Sequence, residues 1–301
     1  MNRKIGIIVV WLLNTVATEY NYDCGRLQSR RGLVYRGTQI AAGDHEWLVS
    51  IRDRANFSLI TCAAVKIGDR TLLTARHCFQ RSMLGLDNHY SIANPRDLIV
   101  LFGRVHSRHL SSHNISDHRS QQVPVDTLYL CPFADLAIVT TLWPMRGTKS
   151  VCLPCASQYL FEPDDDELCL VIGWGYVAHG DNQQYSPMPH AAVVRVNSDE
   201  YCRQNSVVYD RTLFGGPLIC VRDTSAFVSG VVSAGPSVCG RQPSLYTNVA
   251  RLRRWLHKAL REFDEQAICS LDDQKEPPQV YDKRFGQHPV IRRSRTRKVK
   301  R

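Results

Sequence analysis

The sequence predicts an all-β domain of short strands, closed by one C-terminal α-helix and preceded by a secretory leader. Three observations predict it. Trp47–Ile51, Leu98–Phe102, Leu136–Val139 and Phe227–Val232 are short runs of β-branched and aliphatic residues, broken by Gly, Pro, Asn and Asp. Runs of that kind form the strands of a barrel or sandwich. Val249, Leu252, Leu256, Leu260 and Phe263 recur at three- and four-residue steps, with Arg251, Arg253, Arg254, Lys258 and Arg261 between them. That is the pattern of an amphipathic helix packed on the body. All eleven cysteines follow the leader, which points to disulfides rather than metal or redox centres.

Along the chain, residues 1–17 carry the leader. Arg3 and Lys4 are its basic start, Ile5–Leu13 its apolar core, and Thr15-Val16-Ala17 its small cleavage region. The apolar core is too short to span a bilayer, which needs about 20 residues. No transmembrane segment is expected elsewhere, so the sequence predicts a secreted, extracellular product. Residues 18–33 form a short polar, propeptide-like segment, residues 34–263 the folded domain, and residues 264–301 a disordered tail. The formal charge of +10 is concentrated at that end, because residues 283–301 hold nine Lys or Arg and no acid. With those nine and the leader's two set aside, residues 18–282 are near −1. The tail could bind anionic glycans by charge or be trimmed by basic-site endoproteases. It lacks the interleaved aromatics that stack on single strands, so no nucleic-acid partner is expected. Asn56-Phe-Ser58 and Asn114-Ile-Ser116 are acceptor motifs for N-glycosylation.

Three short boxes carry the chemistry. Leu73-Thr74-Ala75-Arg76-His77-Cys78 places a histidine beside a cysteine. Ala134-Asp135-Leu136-Ala137-Ile138-Val139 opens an apolar strand with an acid, which needs a partner when buried. Gly215-Gly216-Pro217-Leu218-Ile219-Cys220 follows Gly173-Trp174-Gly175. In this order, His, Asp and Gly-Gly-Pro, the chain resembles the trypsin/chymotrypsin family of serine proteases from about Val34 to Phe263. Ser244–Val249 and Trp255 match the family's approach to its C-terminal helix. The resemblance implies two packed six-stranded antiparallel β-barrels with the catalytic residues between them. His77 and Asp135 stand at the positions of the catalytic His and Asp.

The departures from the pattern decide the functional expectation. Phe214 stands where the family has its nucleophilic serine, in Thr212-Leu213-Phe214-Gly215-Gly216-Pro217. A phenyl ring offers no hydroxyl to deprotonate and cannot form an acyl-enzyme. Thr212 replaces an oxyanion-hole glycine, and Leu213 replaces the acid that pairs with the amine released on activation. The activation sequence is also gone, since Leu33-Val34-Tyr35-Arg36-Gly37 has no basic residue directly before Val34, and Arg30-Arg31 is out of register. Val208 falls at the specificity-pocket base, and Ala234 replaces the pocket-wall Trp. His77 and Asp135 are then retained but non-functional, a hydrogen-bonded pair between the barrels. No cofactor or metal is expected; Cys152-Leu-Pro-Cys155 is the nearest approach to a ligand pair, and the rest of a metal set is missing.

Family pairing implies disulfides Cys62–Cys78, Cys169–Cys220 and Cys24–Cys152, the last tethering residues 18–33 to the body. Cys202 and Cys239 match positions whose usual partners are absent, and are expected to pair with each other. Cys269 is expected either to bond another chain or to pair with Cys131 or Cys155. The resemblance to inactive homologues implies a secreted pseudoprotease that binds an extracellular protein, such as an active protease, in seminal-fluid or immune settings. Two other outcomes stay open: a serine-type endopeptidase of unusual chemistry, and a glycan-binding mediator acting through residues 283–301.

Overall fold

A computed structural model describes residues 24–25, 38–39, 45–56, 60–82, 90–103, 120–154, 162–174, 189–205, 215–222, 225–235, 243–263 and 290–292. Expectations for the leader, Val34–Gly37, Asn114, Cys155, Val208, Thr212–Phe214, Cys239 and Cys269 lie outside these residues.

Six antiparallel strands close on themselves to form the first barrel. They are β2 (Leu48–Asp53), β3 (Ile60–Lys66), β4 (Thr71–Thr74), β7 (Leu98–Gly103), β8 (Ser120–Leu130) and β9 (Ala137–Thr141). The order is β8-β7-β2-β3-β4-β9, and the β8–β9 pairing shuts the ring. Closure pairs the two outer strands with each other, so most of the edge that an open sheet would expose is covered. Strand periodicity turns alternate residues inward, and Val49, Ile51, Leu72, Phe79, Val100, Phe102, Leu128 and Val139 fill the interior. A short pair, β5 (Gln80–Ser82) and β6 (Tyr90–Ile92), lies outside the ring.

The second sheet runs β1-β11-β10-β12-β13-β14. Its strands are β1 (Thr38–Gln39), β10 (Leu168–Gly173), β11 (His190–Arg195), β12 (Pro217–Arg222), β13 (Ser225–Ala234) and β14 (Leu245–Asn248). It has the expected six strands, but no pairing among the described residues joins β1 to β14. A short helix, α1 (Asp199–Gln204), starts at a capping bond in which the Ser198 hydroxyl accepts from the Tyr201 N–H.

The predicted C-terminal helix is α2 (Arg253–Arg261), entered through a tight turn over Ala250–Leu252. Trp255, Leu256, Ala259 and Leu260 are its buried face. They join Trp47, Leu73, Leu136 and Ile138 of the first barrel and Ile172, Trp174, Ile219 and Val228 of the second sheet in one continuous core. That core seams the two sheets and the helix together.

Cys24–Cys152 ties the segment before the domain to the body, as the family pairing implies. Main-chain bonds reinforce it: Gly25 N–H donates to Ser150 O at 2.7 Å, and Ala226 N–H donates to Gly25 O at 2.8 Å. Peptide-bond cleavage between residues 25 and 34 would therefore leave the earlier segment attached. The expected unstructured tail needs one correction: Val290–Arg292 form a strand, β15, paired with β8.

Leu256 is fully buried in the seam. Leu256→Ala should cost about 2–5 kcal/mol of stability, read as a lower denaturant midpoint with an unchanged slope.

Candidate active-site region

The site is assembled from four separate stretches. His77 sits in a tight helical turn, Arg76–Phe79, that follows β4. Cys78 in the same turn is bonded to Cys62 in β3, which pins the turn to the barrel. Asp135 lies in the loop between β8 and β9, closed by Cys131 N–H to Leu136 O at 2.9 Å. Ser233 comes from β13 and Thr247 from β14 of the other sheet.

These stretches converge on the Asp135 carboxylate. His77 N–H donates to Oδ1 at 2.9 Å, and the His77 ring nitrogen Nδ1 lies 2.7 Å from Oδ2. The Ser233 hydroxyl donates to the same Oδ2 at 2.6 Å. The Thr247 hydroxyl donates to the Asp135 main-chain carbonyl at 3.0 Å. The carboxylate side chain is 6% exposed and the imidazole 13%. Burial alone would push the Asp135 pKa up, but the hydrogen bonds from His77 and Ser233 and the imidazole's charge outweigh it and hold the acid below its ordinary value. An ionised carboxylate only accepts, so Nδ1 must carry the proton. In the neutral ring, Nε2 then keeps its lone pair, which is the tautomer a general base requires.

Arg76 brings a cation behind this pair. Its buried Nη1 donates to the Cys131 carbonyl. Burial lowers the Arg76 pKa, while Cys131 and Asp135 act in the opposite direction. Cys131 is buried and in no disulfide, which removes it as a partner for Cys269. Burial pushes its thiol up to about 11, so it stays protonated and is a poor nucleophile at neutral pH.

Gly215 and Gly216 fix the chain directly after position 214. Gly215 has φ +58, a conformation that favours glycine. A Cβ there would lie 2.6 Å from Cys78 Sγ and 2.8 Å from Thr74 Oγ1. At Gly216 it would lie 2.5 Å from Ile172 O. Thr74 Oγ1, whose proton goes to Ala63 O at 2.7 Å, lies 3.4 Å from Gly215 O, and Val232 N–H donates to Gly216 O at 2.9 Å. Gly215 is thus held against the turn bearing His77.

Comparison with known proteins agrees with this architecture. The family model described as "Trypsin" matches residues 34–256. The chain belongs to the trypsin family. It is 27% identical to Transmembrane protease serine 9 of Rattus norvegicus over 83% of this chain, spanning only 24% of that relative. It is 25% identical to human Testisin, covering 79% of this chain and 81% of the relative. Kallikrein-15 of Saguinus oedipus is 26% identical over 76% of this chain and 92% of its own length.

The structure brings His77 and Asp135 together and joins Cys62 to Cys78 and Cys169 to Cys220. Asn56 is exposed just beyond β2. Cys202 is half-buried on α1, while its expected partner lies outside the described residues. Two groupings of metal-ligand types occur among the described residues, Cys62/His77/Cys78 and Glu167/Cys169/Cys220. In each, both sulfurs are in a disulfide and offer no thiolate. Sequence reasoning missed Ser233 and Thr247 as donors to Asp135. The one signal for Ser233 is its place directly before Ala234, the position matched to the pocket-wall Trp.

Two substitutions test this arrangement. Gly215→Ala should cost at least about 1–3 kcal/mol from backbone strain alone, measured by thermal or chemical denaturation. Asp135 has a depressed folded pKa, so its stabilising contribution is present above its unfolded value of about 4 and is lost as pH falls through the lower folded value. Asp135→Asn should therefore be less stable at neutral pH by about 1–3 kcal/mol. Its stability should also fall less steeply than the parent's below about pH 4, checked by denaturation across an acid series.

Proposed function

We propose that this chain is a secreted, non-catalytic member of the trypsin family that acts by binding another extracellular protein, as a cofactor, decoy or ligand. One observation carries the reading: residue 214 is phenylalanine, while the base that would serve a nucleophile there is built and oriented. His77 would have to take a proton from an attacking group, and a benzyl side chain has none to give. Loss of the nucleophilic serine alone lowers the turnover of a serine protease about 10⁶-fold. Thr212 at the oxyanion-hole glycine and Leu213 at the activation acid are changes in the same mechanism, and they support the same reading. The names of the relatives point to proteolysis, and the departure proposed here rests on this chain's own residues.

The His77–Asp135–Ser233 network then has a structural role. It satisfies a buried carboxylate at the junction of the two sheets and keeps the face around it rigid. A rigid, protease-shaped face suits a partner that ordinarily meets proteases, such as an active protease or its substrate. Secretion is supported by the leader at residues 1–17, and no described helix is long and apolar enough to cross a membrane. A second reading rests on the nine cations of residues 283–301, which favour an anionic glycan as an additional partner.

The mature protein should form no covalent adduct with a fluorophosphonate probe and hydrolyse no peptide ester. An adduct that disappears in His77→Ala would overturn the non-catalytic reading. Crosslinking and co-purification from the native fluid should recover the same protein partner with the full chain and with a form lacking 283–301. Recovery of glycans by the full chain alone would move the function to the tail.

A further inference from the structure

The tail strand β15 pairs antiparallel with β8, setting Val290 opposite Tyr129, Ile291 opposite Leu128 and Arg292 opposite Thr127. Strand β15 lies beyond residues 34–256, the stretch that matches the family model, whereas β8 lies within it. The β8 edge is available there for identifiable reasons. The β7–β8 ladder stops at Ile99 opposite Pro124, and proline has no N–H to extend it. The Pro124 carbonyl is already taken by the Leu142 N–H at 3.1 Å. The β8–β9 register then shifts between Val125 and Thr127, a bulge that bends β8. Past the bulge, β9 pairs along one side of Thr127–Tyr129 and β15 along the other. Helix α2 abuts the same place: the Tyr129 ring lies 5.6 Å from Trp255 and 6.0 Å from Phe263, and its hydroxyl donates to Glu262 at 3.5 Å.

We propose that Thr127–Tyr129 of β8 is a strand-accepting site, and that its occupant is the chain's own Val290–Arg292. Main-chain bonds from an added strand supply affinity at a sheet edge. The docked strand also sets where the following residues begin. Residues 293–301 contain Arg293, Arg295, Arg297, Lys298, Lys300 and Arg301, so the basic run starts from a fixed point on the first barrel rather than from the end of a free tail. The tail therefore acts as a built-in ligand of the barrel. A partner that offers an extended segment to this edge has to displace it.

The test is a trans-binding assay on the full chain at physiological salt. A fluorescent peptide of residues 286–301 is titrated against the parent and against the full-length double variant V290P/I291P. Adjacent prolines remove a donor of either strand parity, so the variant empties the edge whichever residues donate. The peptide should bind the variant saturably and leave the parent unbound. The same peptide carrying the two prolines, with identical charge, should lose binding to the variant. Within Thr127–Tyr129, amides that point away from β9 should exchange with deuterium slowly in the parent and faster in the variant. Equal binding of both peptides would mean that charge alone acts, and would overturn the proposal. So would a folded variant that binds neither peptide, or one whose amides exchange no faster than the parent's.

Discussion

A carboxylate buried between two sheets must be surrounded by donors, and the Asp135 carboxylate sets that requirement here. Its oxygens accept from the His77 main chain, the His77 ring and the Ser233 hydroxyl, and its own carbonyl accepts from Thr247. Two of these donors belong to the turn after β4 and two to strands of the second sheet. Leaving out one of the three donors to the carboxylate would expose a buried charge to an apolar neighbourhood, which is far costlier than the net worth of a surface ion pair. These four bonds lock the junction of the two sheets. The pair therefore has a structural use that does not depend on a hydroxyl at position 214.

The surrounding covalent and steric devices serve the same junction. The Cys62–Cys78 bond holds the His77 turn, and Gly215 fits against both sulfurs only because it has no Cβ. Buried cations are handled locally rather than at the junction. Lys66 donates to the carbonyls of Met145 and Thr148, each at 2.8 Å, so its ammonium is solvated by the chain itself. Arg76, beside His77, likewise reaches a main-chain carbonyl, that of Cys131.

Much of the fold was legible because strands and helices write their periods into the sequence. The runs at Trp47, Leu98, Leu136 and Phe227 are β2, β7, β9 and β13, and the stripe through Leu256 and Leu260 is α2. His77 and Asp135 were legible from their boxes. Ser233 and Thr247 were not, because a hydroxyl on a strand looks the same whether it meets water or a carboxylate. Strand β15 was hidden by composition: a polar, basic segment around two β-branched residues reads as tail, and its partner lies far back in the chain.

The sequence by itself determined what position 214 cannot do. The absence of a hydroxyl is a covalent property of phenylalanine and holds in any fold. It also determined the strand periods, the apolar stripe of the helix and the charge of the tail, all properties of neighbouring residues. Only the tertiary structure decided which proton His77 carries, because that depends on an ionised Asp135 58 residues away. It likewise decided that Ser233 and Thr247 reach Asp135 across 98 and 112 residues, and that β8 has an edge for the tail to fill. Hydrogen-bond partners this distant are set by how the sheets close and bend, and no local pattern encodes that.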